Sequence, residues 1–146
     1  MKHRNLISKI ISKDLQLHSL NGRIVKNNMK QFKKEKDFQS WYGKMLKDKG
    51  HIYHKISDMS LWLKPCDMFD ISPEWDISFR ELKMIDWYTI NINKFEPQQV
   101  SFLEELSRRW CRSLVVVYSK KLSEYKEIYW RDLDLMKNRS VKLFEP

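Results

Sequence analysis

Apolar side chains recur at three- and four-residue spacing in the segment that follows residue 34, namely Phe38, Trp41, Tyr42, Met45 and Leu46. This period is typical of a helix with one apolar face, and a glycine such as Gly50 commonly ends a helix. The pattern predicts a helix over residues 34–49 whose apolar stripe packs on a β-sheet.

The following part of the chain has the alternating pattern of β-strands. Segments 51–56, 64–71 and 75–85 are predicted strands, and Ser72-Pro73-Glu74 between the last two is typical of a turn. The sequence therefore predicts a strand meander after the helix.

A second helix and a buried strand are predicted further along. Pro97 suits the first turn of a helix that runs to about residue 109, with Val100, Leu103 and Leu106 on its inner face. The apolar, β-branched run 114–118 is typical of a strand that is covered on both faces and lies centrally or in parallel pairing.

These elements indicate an α/β fold. The order α-β-β-β-α-β, to which residues 127–131 add one more predicted strand, favours a mixed β-sheet flanked by helices. A chain of 146 residues with 42% hydrophobic content is long enough for one compact domain and too short for two.

Residues 1–34 differ in composition from the rest. They carry nine lysines and arginines against one acid, Asp14, and their apolar residues predict one short amphipathic helix that ends before Asn21-Gly22. We therefore expect a basic N-terminal helical arm, residues 1–34, followed by the main domain, residues 35–146.

The net charge of +9 favours a polyanionic partner, of which nucleic acid is the most common. A basic protein that is merely soluble has the same composition, so charge alone leaves both interpretations open. No Gly-rich phosphate loop occurs in the sequence, and a nucleotide cofactor is not expected.

Cysteine and histidine usage argues against a zinc site. Cys66 and Cys111 are the only cysteines, and they do not form a zinc-type pattern with the histidines, which are His3, His18, His51 and His54. Because the start of the chain lacks an apolar leader, we expect free thiols, a cytoplasmic location and no membrane partner.

Two charges interrupt the apolar face of the third predicted strand. Alternation places five residues on that face, namely Ile77, Phe79, Glu81, Lys83 and Ile85. Burying a charged group costs on the order of several kcal/mol before pairing compensates for it. Glu81 and Lys83 are therefore either functional groups or a structural ion pair.

The predicted turn also fixes the hairpin register. If the turn spans residues 72–76, Ile71 lies opposite Ile77 and Asp67 lies directly across from Glu81. Cross-strand Cβ atoms are roughly 4.5–5.5 Å apart, so the two carboxylates can share one divalent ion. Oxygen ligands favour Mg²⁺ or Mn²⁺ over Zn²⁺. Lys83 can then orient or deprotonate a water, or stabilise charge on a phosphate.

At these residues the sequence resembles a known family. Asp67, followed by Glu81-Leu82-Lys83, is similar to the signature of PD-(D/E)xK nucleases. Segments 64–69, 79–83, 97–99 and 115–118 resemble more narrowly Holliday-junction resolvases of the RecU kind and their phage relatives. The resemblance covers about residues 35–131, with one departure, since Cys66 separates Pro65 from Asp67.

The resemblance implies a restriction-endonuclease-like core in residues 35–146, in a bacterial or phage-infected host cell. It implies that Asp67 and Glu81 are metal ligands, that Lys83 is the catalytic lysine and that Gln99 is a polar helix residue near the site.

Many members of the family add an acid from the first core helix. Glu35 is the first candidate here and Asp37 the second, and either can instead be a solvated residue at a helix start.

Other polar and aromatic residues have weaker assignments. The expected DNA contacts are Lys30, Lys33, Lys34, Lys120 and Lys121, although Lys120 and Lys121 can equally be solvated. The predicted turn or surface acids are Asp58, Asp70, Asp76 and Asp86. The tryptophans interpreted as core or dimer surface are Trp41, Trp62, Trp87 and Trp110.

The sequence thus predicts a Mg²⁺-dependent, structure-specific DNA endonuclease, most similar to a Holliday-junction resolvase, which acts as a homodimer on branched DNA. Mn²⁺ is expected to substitute for Mg²⁺. The alternatives are a restriction-type or repair endonuclease of the same fold, and a non-catalytic basic DNA-binding module in which Glu81 and Lys83 form a structural pair.

Overall fold

The computed structural model describes residues 23–24, 31–56 and 64–146. The helix predicted near the N-terminus, Lys30, Asp58 and Trp62 lie outside these residues. No helix within the described ranges is both long enough and apolar enough to cross a lipid bilayer.

The predicted core elements are all present. Helix α1 is Glu35–Asp48, and it is followed by strands β2 (Ile52–Lys55), β3 (Met68–Ile71) and β4 (Ile77–Ile85), helix α2 (Pro97–Arg108) and strand β6 (Arg112–Ser119). Their order is the predicted α-β-β-β-α-β. Periodicity therefore identified each of these elements, with bounds that differ by only a few residues.

Four further strands and two short helices accompany these elements in the described residues. Strand β1 is Arg23–Ile24, β5 is Thr89–Asn91, β7 is Glu124–Tyr129 and β8 is Ser140–Lys142, while helices α3 and α4 are Trp130–Leu133 and Leu135–Asn138. Strands β5 and β8 pair with each other in a separate two-stranded sheet.

The main sheet is mixed and has the order β1-β7-β6-β4-β3-β2. Strands β4 and β6 are parallel, and the other neighbours are antiparallel. Ile71 lies opposite Ile77, as predicted from the turn. The predicted fold class, a mixed sheet flanked by helices, is confirmed.

Helices cover both faces of the central strands. Val116 and Tyr118 of β6 pack in one core cluster with Phe38 and Leu46 of α1. Val115 and Val117 point to the opposite face and pack in a second cluster with Leu103 of α2. The prediction that residues 114–118 form a strand covered on both faces is confirmed.

The prediction of a strand over residues 127–131 is wrong at its C-terminal end. Strand β7 ends at Tyr129, and Trp130 begins the short helix α3. The buried indole of Trp130 packs edge-on against Phe95, with ring centroids 5.2 Å apart, and donates a hydrogen bond to Glu104 (2.7 Å). Because this tertiary contact turns Trp130 into the core, it overrides the local strand pattern.

The segment before α1 contributes to the sheet and to the core. The backbone of Arg23–Ile24 pairs with β7, and Phe32 is buried against Phe38 and Tyr118. The division into an arm, residues 1–34, and a main domain, residues 35–146, stays a prediction.

A polar network centred on Arg80 is buried beneath α1. Arg80 donates to Asp70 through Nε and to the Tyr42 hydroxyl through Nη1, both at 2.5 Å. The Tyr42 hydroxyl donates in turn to Glu127 (2.7 Å), and His51 Nδ1 lies 2.5 Å from Asp70. Each charged group therefore has an oppositely charged or hydrogen-bonding partner.

The network corrects one prediction, since Asp70 is fully buried and is not a turn or surface acid. Asp70 and Arg80 come from adjacent strands, and both point to the α1 side of the sheet. Burial makes the pair costly to break, because a single substitution leaves an uncompensated charge in the interior.

We expect Asp70→Ala to lower the free energy of unfolding by about 3–5 kcal/mol, because it leaves the buried Arg80 cation without its anionic partner. Urea unfolding followed by circular dichroism measures the change. Lys142→Ala is the control, since it removes an exposed ion pair with Glu145 (3.0 Å) and should leave the midpoint unchanged. Equal midpoints for the two variants would contradict a stabilising role for the network.

Candidate active site

The site lies where strands β3 and β4 separate. Met68 of β3 pairs with Arg80 of β4, and the amide of Asp67 still donates to the Arg80 carbonyl (3.1 Å). Pro65 has no amide hydrogen and cannot continue the ladder. Beyond Arg80, the amides on this side of β4 therefore need other acceptors.

Two carboxylates provide the acceptors that β3 no longer provides. Asp67 Oδ2 accepts a hydrogen bond from the amide of Leu82 (2.8 Å), and Glu35 Oε2 accepts one from the amide of Met84 (3.0 Å). The two amides are two residues apart and so point to the same side of the strand. Asp67, just before β3, and Glu35, in the first turn of α1, thus reach the same edge of β4.

Glu81 and Asp67 are both buried, with 1% and 3% of their surface exposed. Each carboxylate has a lysine beside it. Lys83 Nζ lies 2.9 Å from Glu81 Oε1, and Lys64 Nζ lies 2.6 Å from Asp67 Oδ1. These ion pairs offset part of the cost of removing two adjacent anions from water.

Gln99 holds the ammonium group of Lys83 from the other side. Its side-chain oxygen accepts hydrogen bonds from Lys83 Nζ (3.2 Å) and from the amide of Glu96 at the start of α2 (2.9 Å). Lys83 Nζ also lies 5.3 Å from the centre of the Phe95 ring. Because the start of α2 fixes Gln99, it also fixes the position of the lysine.

Burial, and next the charge of Asp67, raise the pKa of Glu81 to about 7. Its Oε1 atom faces Lys83, whereas its buried Oε2 atom has no hydrogen-bond partner among the residues that the structure describes. A buried carboxylate oxygen without a donor is costly. A cation beside Asp67 and Glu81 would satisfy this oxygen and favour the charged form of Glu81.

The donor set fits Mg²⁺ or Mn²⁺. In the described part of the chain no group of three or more His, Cys, Asp and Glu side chains is placed to hold a metal ion. Mg²⁺ usually needs only one or two protein carboxylates, because water and substrate oxygens complete its coordination. Asp67 and Glu81 meet that requirement.

Cys66, the departure from the family pattern, is a packed side chain in this site. Its buried thiol donates to the Met68 carbonyl (3.6 Å), and burial, together with the charges of Glu81 and Asp67, raises its pKa to about 12. The thiol therefore stays protonated at neutral pH and leaves ligand chemistry to the carboxylates.

The five predicted catalytic residues fall into one connected region. Four of them are buried and linked by the contacts above, namely Asp67, Glu81, Lys83 and Gln99. The fifth, Glu35, accepts the hydrogen bond of the next outward-pointing amide of β4, that of Met84. Asp37 is exposed on the same helix turn. Of the two acids proposed for α1, only Glu35 reaches β4 through a described contact.

Four of the five predicted DNA-contacting lysines are in the described residues. Lys33 and Lys34 are exposed just before α1, while Lys120 and Lys121 follow β6. Lys120 pairs with Asp86 (3.0 Å), and Lys121 lies 5.2 Å from the ring centre of Trp87. Because β4 and β6 are parallel, Lys120 and Lys121 are at the end of the sheet towards which Lys83 lies.

Lys64 and Phe95 were not predicted as site residues. Lys64 stands three residues before Asp67, and Phe95 stands four before Gln99. A lysine at that spacing is too common in a basic chain to carry a signal, and the contact of Phe95 with Lys83 depends on the path between β5 and α2.

Comparison with known proteins gives structural matches alone. No protein-family model matches the sequence, and no curated protein matches it.

Among solved structures, the chain is similar to Hjc, a Holliday junction resolvase from the archaeal hyperthermophile Archaeoglobus fulgidus. That match has a TM-score of 0.56 and 13% identity, and it covers 73% of this chain and 85% of that one. A VRR_NUC domain matches with a TM-score of 0.45 and 25% identity over 60% of this chain and 86% of that one. The likeness to the archaeal resolvase establishes that the two chains share a fold.

Proposed function

We propose that this protein is a divalent-metal-dependent DNA endonuclease, with Asp67, Glu81 and Lys83 as the core of its active site. The observation that carries the proposal is the buried Oε2 atom of Glu81 beside Asp67, which has no hydrogen-bond partner in the described part of the chain. A purely structural ion pair with Lys83 does not require a second carboxylate at that place.

Asp67 and Glu81 would hold Mg²⁺, and Mn²⁺ is expected to replace it. The bound ion would supply Lewis-acid stabilisation of the negative charge that develops on the phosphoryl group during hydrolysis. Ligation needs ionised carboxylates, and each of the two carboxylates has a lysine ammonium beside it.

Lys83 is the chain's own proton-handling and charge-stabilising group. Its ammonium is held between Glu81 Oε1 and Gln99 Oε1, and its side chain is 10% exposed. A group with so little freedom can orient an attacking water or donate to a phosphate oxygen without first being ordered. Gln99 is a positioning residue, because it acts through Lys83.

DNA with branches is the proposed substrate, and the proposed active form is a homodimer. The support is the fold shared with an archaeal Holliday junction resolvase, the net charge of +9 and the lysines around the site. Lys33, Lys34, Lys120 and Lys121 would bind backbone phosphates without reading sequence. Paired cuts on opposing strands require two sites related by a two-fold axis.

The second candidate is a non-catalytic DNA-binding module, which the 2.9 Å ion pair between Glu81 and Lys83 favours. In that case the pair stabilises the fold, and metal ions have no effect on DNA integrity. A restriction-type endonuclease of the same fold is separated from a resolvase by its preference for linear duplex.

We expect Asp67→Asn and Glu81→Gln to abolish Mg²⁺-dependent cleavage while DNA binding survives, because each removes a ligand charge but keeps the side-chain shape. Lys83→Ala should lower the rate at least ~10²-fold. A labelled four-way junction incubated with Mg²⁺ and resolved on denaturing gels measures the rate.

Glu35→Gln and Asp37→Asn form a matched pair for the same assay. Both change an acid in the first turn of α1, but only Glu35 contacts β4. A lower rate for Glu35→Gln and an unchanged rate for Asp37→Asn is the expected result. Normal cleavage by folded Asp67→Asn and Glu81→Gln would leave the active-site assignment without support.

The pKa of Glu81 gives a pH dependence of stability. Its folded-state value, about 7, is above the ordinary 4.5, so the folded protein holds a proton that the unfolded chain has released between these pH values. The stabilisation that comes from this retained proton is fully present below about pH 4.5 and is lost as the pH rises through about 7. Its size is up to about 3 kcal/mol.

We expect the difference in free energy of unfolding between wild type and Glu81→Gln to decrease by this amount from acid to neutral pH. Mg²⁺ should stabilise the wild type more at about pH 7.5 than at about pH 5, because it favours the ionised carboxylate. Denaturant unfolding at both pH values, with and without Mg²⁺, measures both effects. Parallel pH profiles and no Mg²⁺ shift would argue against a cation site at Glu81.

We expect the protein to bind a four-way junction more tightly than a linear duplex of the same sequence. Charge alone attracts both, so discrimination has to come from shape and should persist as salt weakens both affinities. Competition binding at two salt concentrations measures it. Equal affinity for the two DNAs would contradict the resolvase proposal but would still be compatible with an endonuclease.

A further inference from the structure

Trp75 and Trp110 are the two most exposed large apolar residues in the described part of the chain. Their surfaces are 80% and 82% exposed. Both have left-handed backbone conformations, with φ values of +68° and +60°. Bulky side chains rarely adopt positive φ, so two such residues need an explanation.

Each tryptophan stands where a glycine is usually preferred. Trp75 ends the tight turn between β3 and β4, where its amide donates to the Ser72 carbonyl (2.9 Å). Trp110 follows α2, and its amide donates to the Ser107 carbonyl (3.2 Å). Turn ends and helix ends of this kind favour glycine, because it has no Cβ to clash at positive φ.

The folding of one chain therefore gains little from either indole. The rings are exposed rather than buried, and the backbone at both positions favours a smaller residue. A strained, exposed residue is a reason to look for a role outside the core. Because the two tryptophans lie at the same end of the sheet, one role is sought for both.

Their proximity follows from the strand pairing. Strands β4 and β6 start side by side, with Ser78 opposite Arg112, and Arg112 Nη1 lies 3.2 Å from Asp76 Oδ2. Trp75 directly precedes Asp76, and Trp110 lies two residues before Arg112. The ion pair thus ties together the two segments that carry the indoles.

Isoleucines extend the apolar area across the same end. Ile52, Ile71 and Ile77 lie opposite one another on β2, β3 and β4, and Ile52 and Ile77 are 66% and 52% exposed. We define the strand-start surface as Ile52, Ile71, Trp75, Ile77 and Trp110. It contains four of the six exposed large apolar residues of the described ranges.

Charges beside the strand-start surface nearly cancel. The groups are four arginines and three acids, in the pairs Arg112–Asp76, Arg108 and Arg109 with Glu105, and Arg131–Asp132, with Arg131 also 5.6 Å from the Trp110 ring centre. Their net charge is +1, whereas a DNA-binding surface carries a cluster of uncompensated cations. An interface between two identical copies has the opposite need, since any net charge on the patch faces the same charge across the two-fold axis.

The available area suits a dimer. An aromatic side chain buries about 150–250 Å² when it is fully covered, so the two indoles would bury several hundred Å² per copy. The isoleucines bring the total towards the ~800 Å² per partner of a standard interface. Tryptophan and arginine, which lie side by side here, are also the residue types that most often contribute the largest share of binding energy in protein interfaces.

We infer that the strand-start surface is the interface through which two copies of this chain associate. The inference deepens the proposed function, on which it rests only for the expectation of paired cuts. It names the surface that the proposed homodimer would use and leaves the active-site assignment independent of it.

The double variant Trp75→Gly/Trp110→Gly tests the inference. Because glycine adopts positive φ without strain, the variant is expected to keep the circular dichroism spectrum of the wild type. Sedimentation equilibrium should give twice the 17.9 kDa chain mass for the wild type. The double variant should have a dimer dissociation constant at least ~100-fold higher.

Trp87→Ala is the matched control. Trp87 is 59% exposed but follows the opposite end of β4, so its loss should leave the dimer unchanged. Ile52→Lys provides a second disruptive variant, because it places like charges across the two-fold axis. Monomeric Ile52→Lys together with dimeric Trp87→Ala would support the interface.

Three results would overturn it. These are a monomeric wild type throughout the sedimentation series, a double variant that dimerises as tightly as Trp87→Ala, and loss of junction binding by the double variant without a change in mass. The last result would assign the surface to DNA.

The two hypotheses fail in different measurements. Asp67→Asn should remain dimeric, and the double tryptophan variant should still nick single strands while losing paired cuts. Wild-type cleavage by Asp67→Asn would contradict the active-site assignment but leave the interface intact, whereas a double variant that stays dimeric would contradict only the interface.

Discussion

The amide of Leu82 imposes the constraint on which the rest of the site depends. A buried N–H group needs an acceptor, and β3 has separated from β4 at this point. Asp67 supplies the acceptor at 2.8 Å, and that bond fixes its carboxylate beside Glu81. A neutral asparagine would satisfy the amide at lower electrostatic cost. The acid at this position, with Lys64 beside it, therefore favours the chemical role that we propose for Asp67 over a purely structural one.

Local determinants made the framework predictable from the sequence. The turn over residues 72–76 and the alternation along β4 together fix the hairpin register, because a shift of one residue would move every side chain to the other face. The buried network around Arg80 was not predictable in this way. Tyr42 lies 38 residues before Arg80, and no local pattern distinguishes Asp70 from a surface acid. Whether Asp70 and Arg80 are buried depends on how α1 packs over the sheet.

The same division separates the parts of the candidate site. The neighbourhood of Asp67, Glu81 and Lys83 follows from register and alternation within one hairpin. The acid from α1 does not, because the residues alone left Glu35 and Asp37 as alternatives, and only the packing of the helix brings Glu35 within 3.0 Å of the Met84 amide. The family resemblance ranked Glu35 first. The physical reason that Glu35 contacts β4 is that β3 leaves the Met84 amide without a backbone acceptor.

Strand β4 joins the two regions for which we propose functions. Its start carries the exposed Ile77 beside Trp75, and its second half carries Glu81 and Lys83. Glu81 lies four positions after Ile77, about 13 Å at the usual rise of a strand. Because β6 pairs with β4 from Ser78 to its end, this spacing is held by a hydrogen-bonded sheet and not by a loop. Two copies joined at their strand starts would therefore hold their catalytic groups at a separation set by strand geometry, which is the rigidity that two coordinated cuts on one branched DNA require.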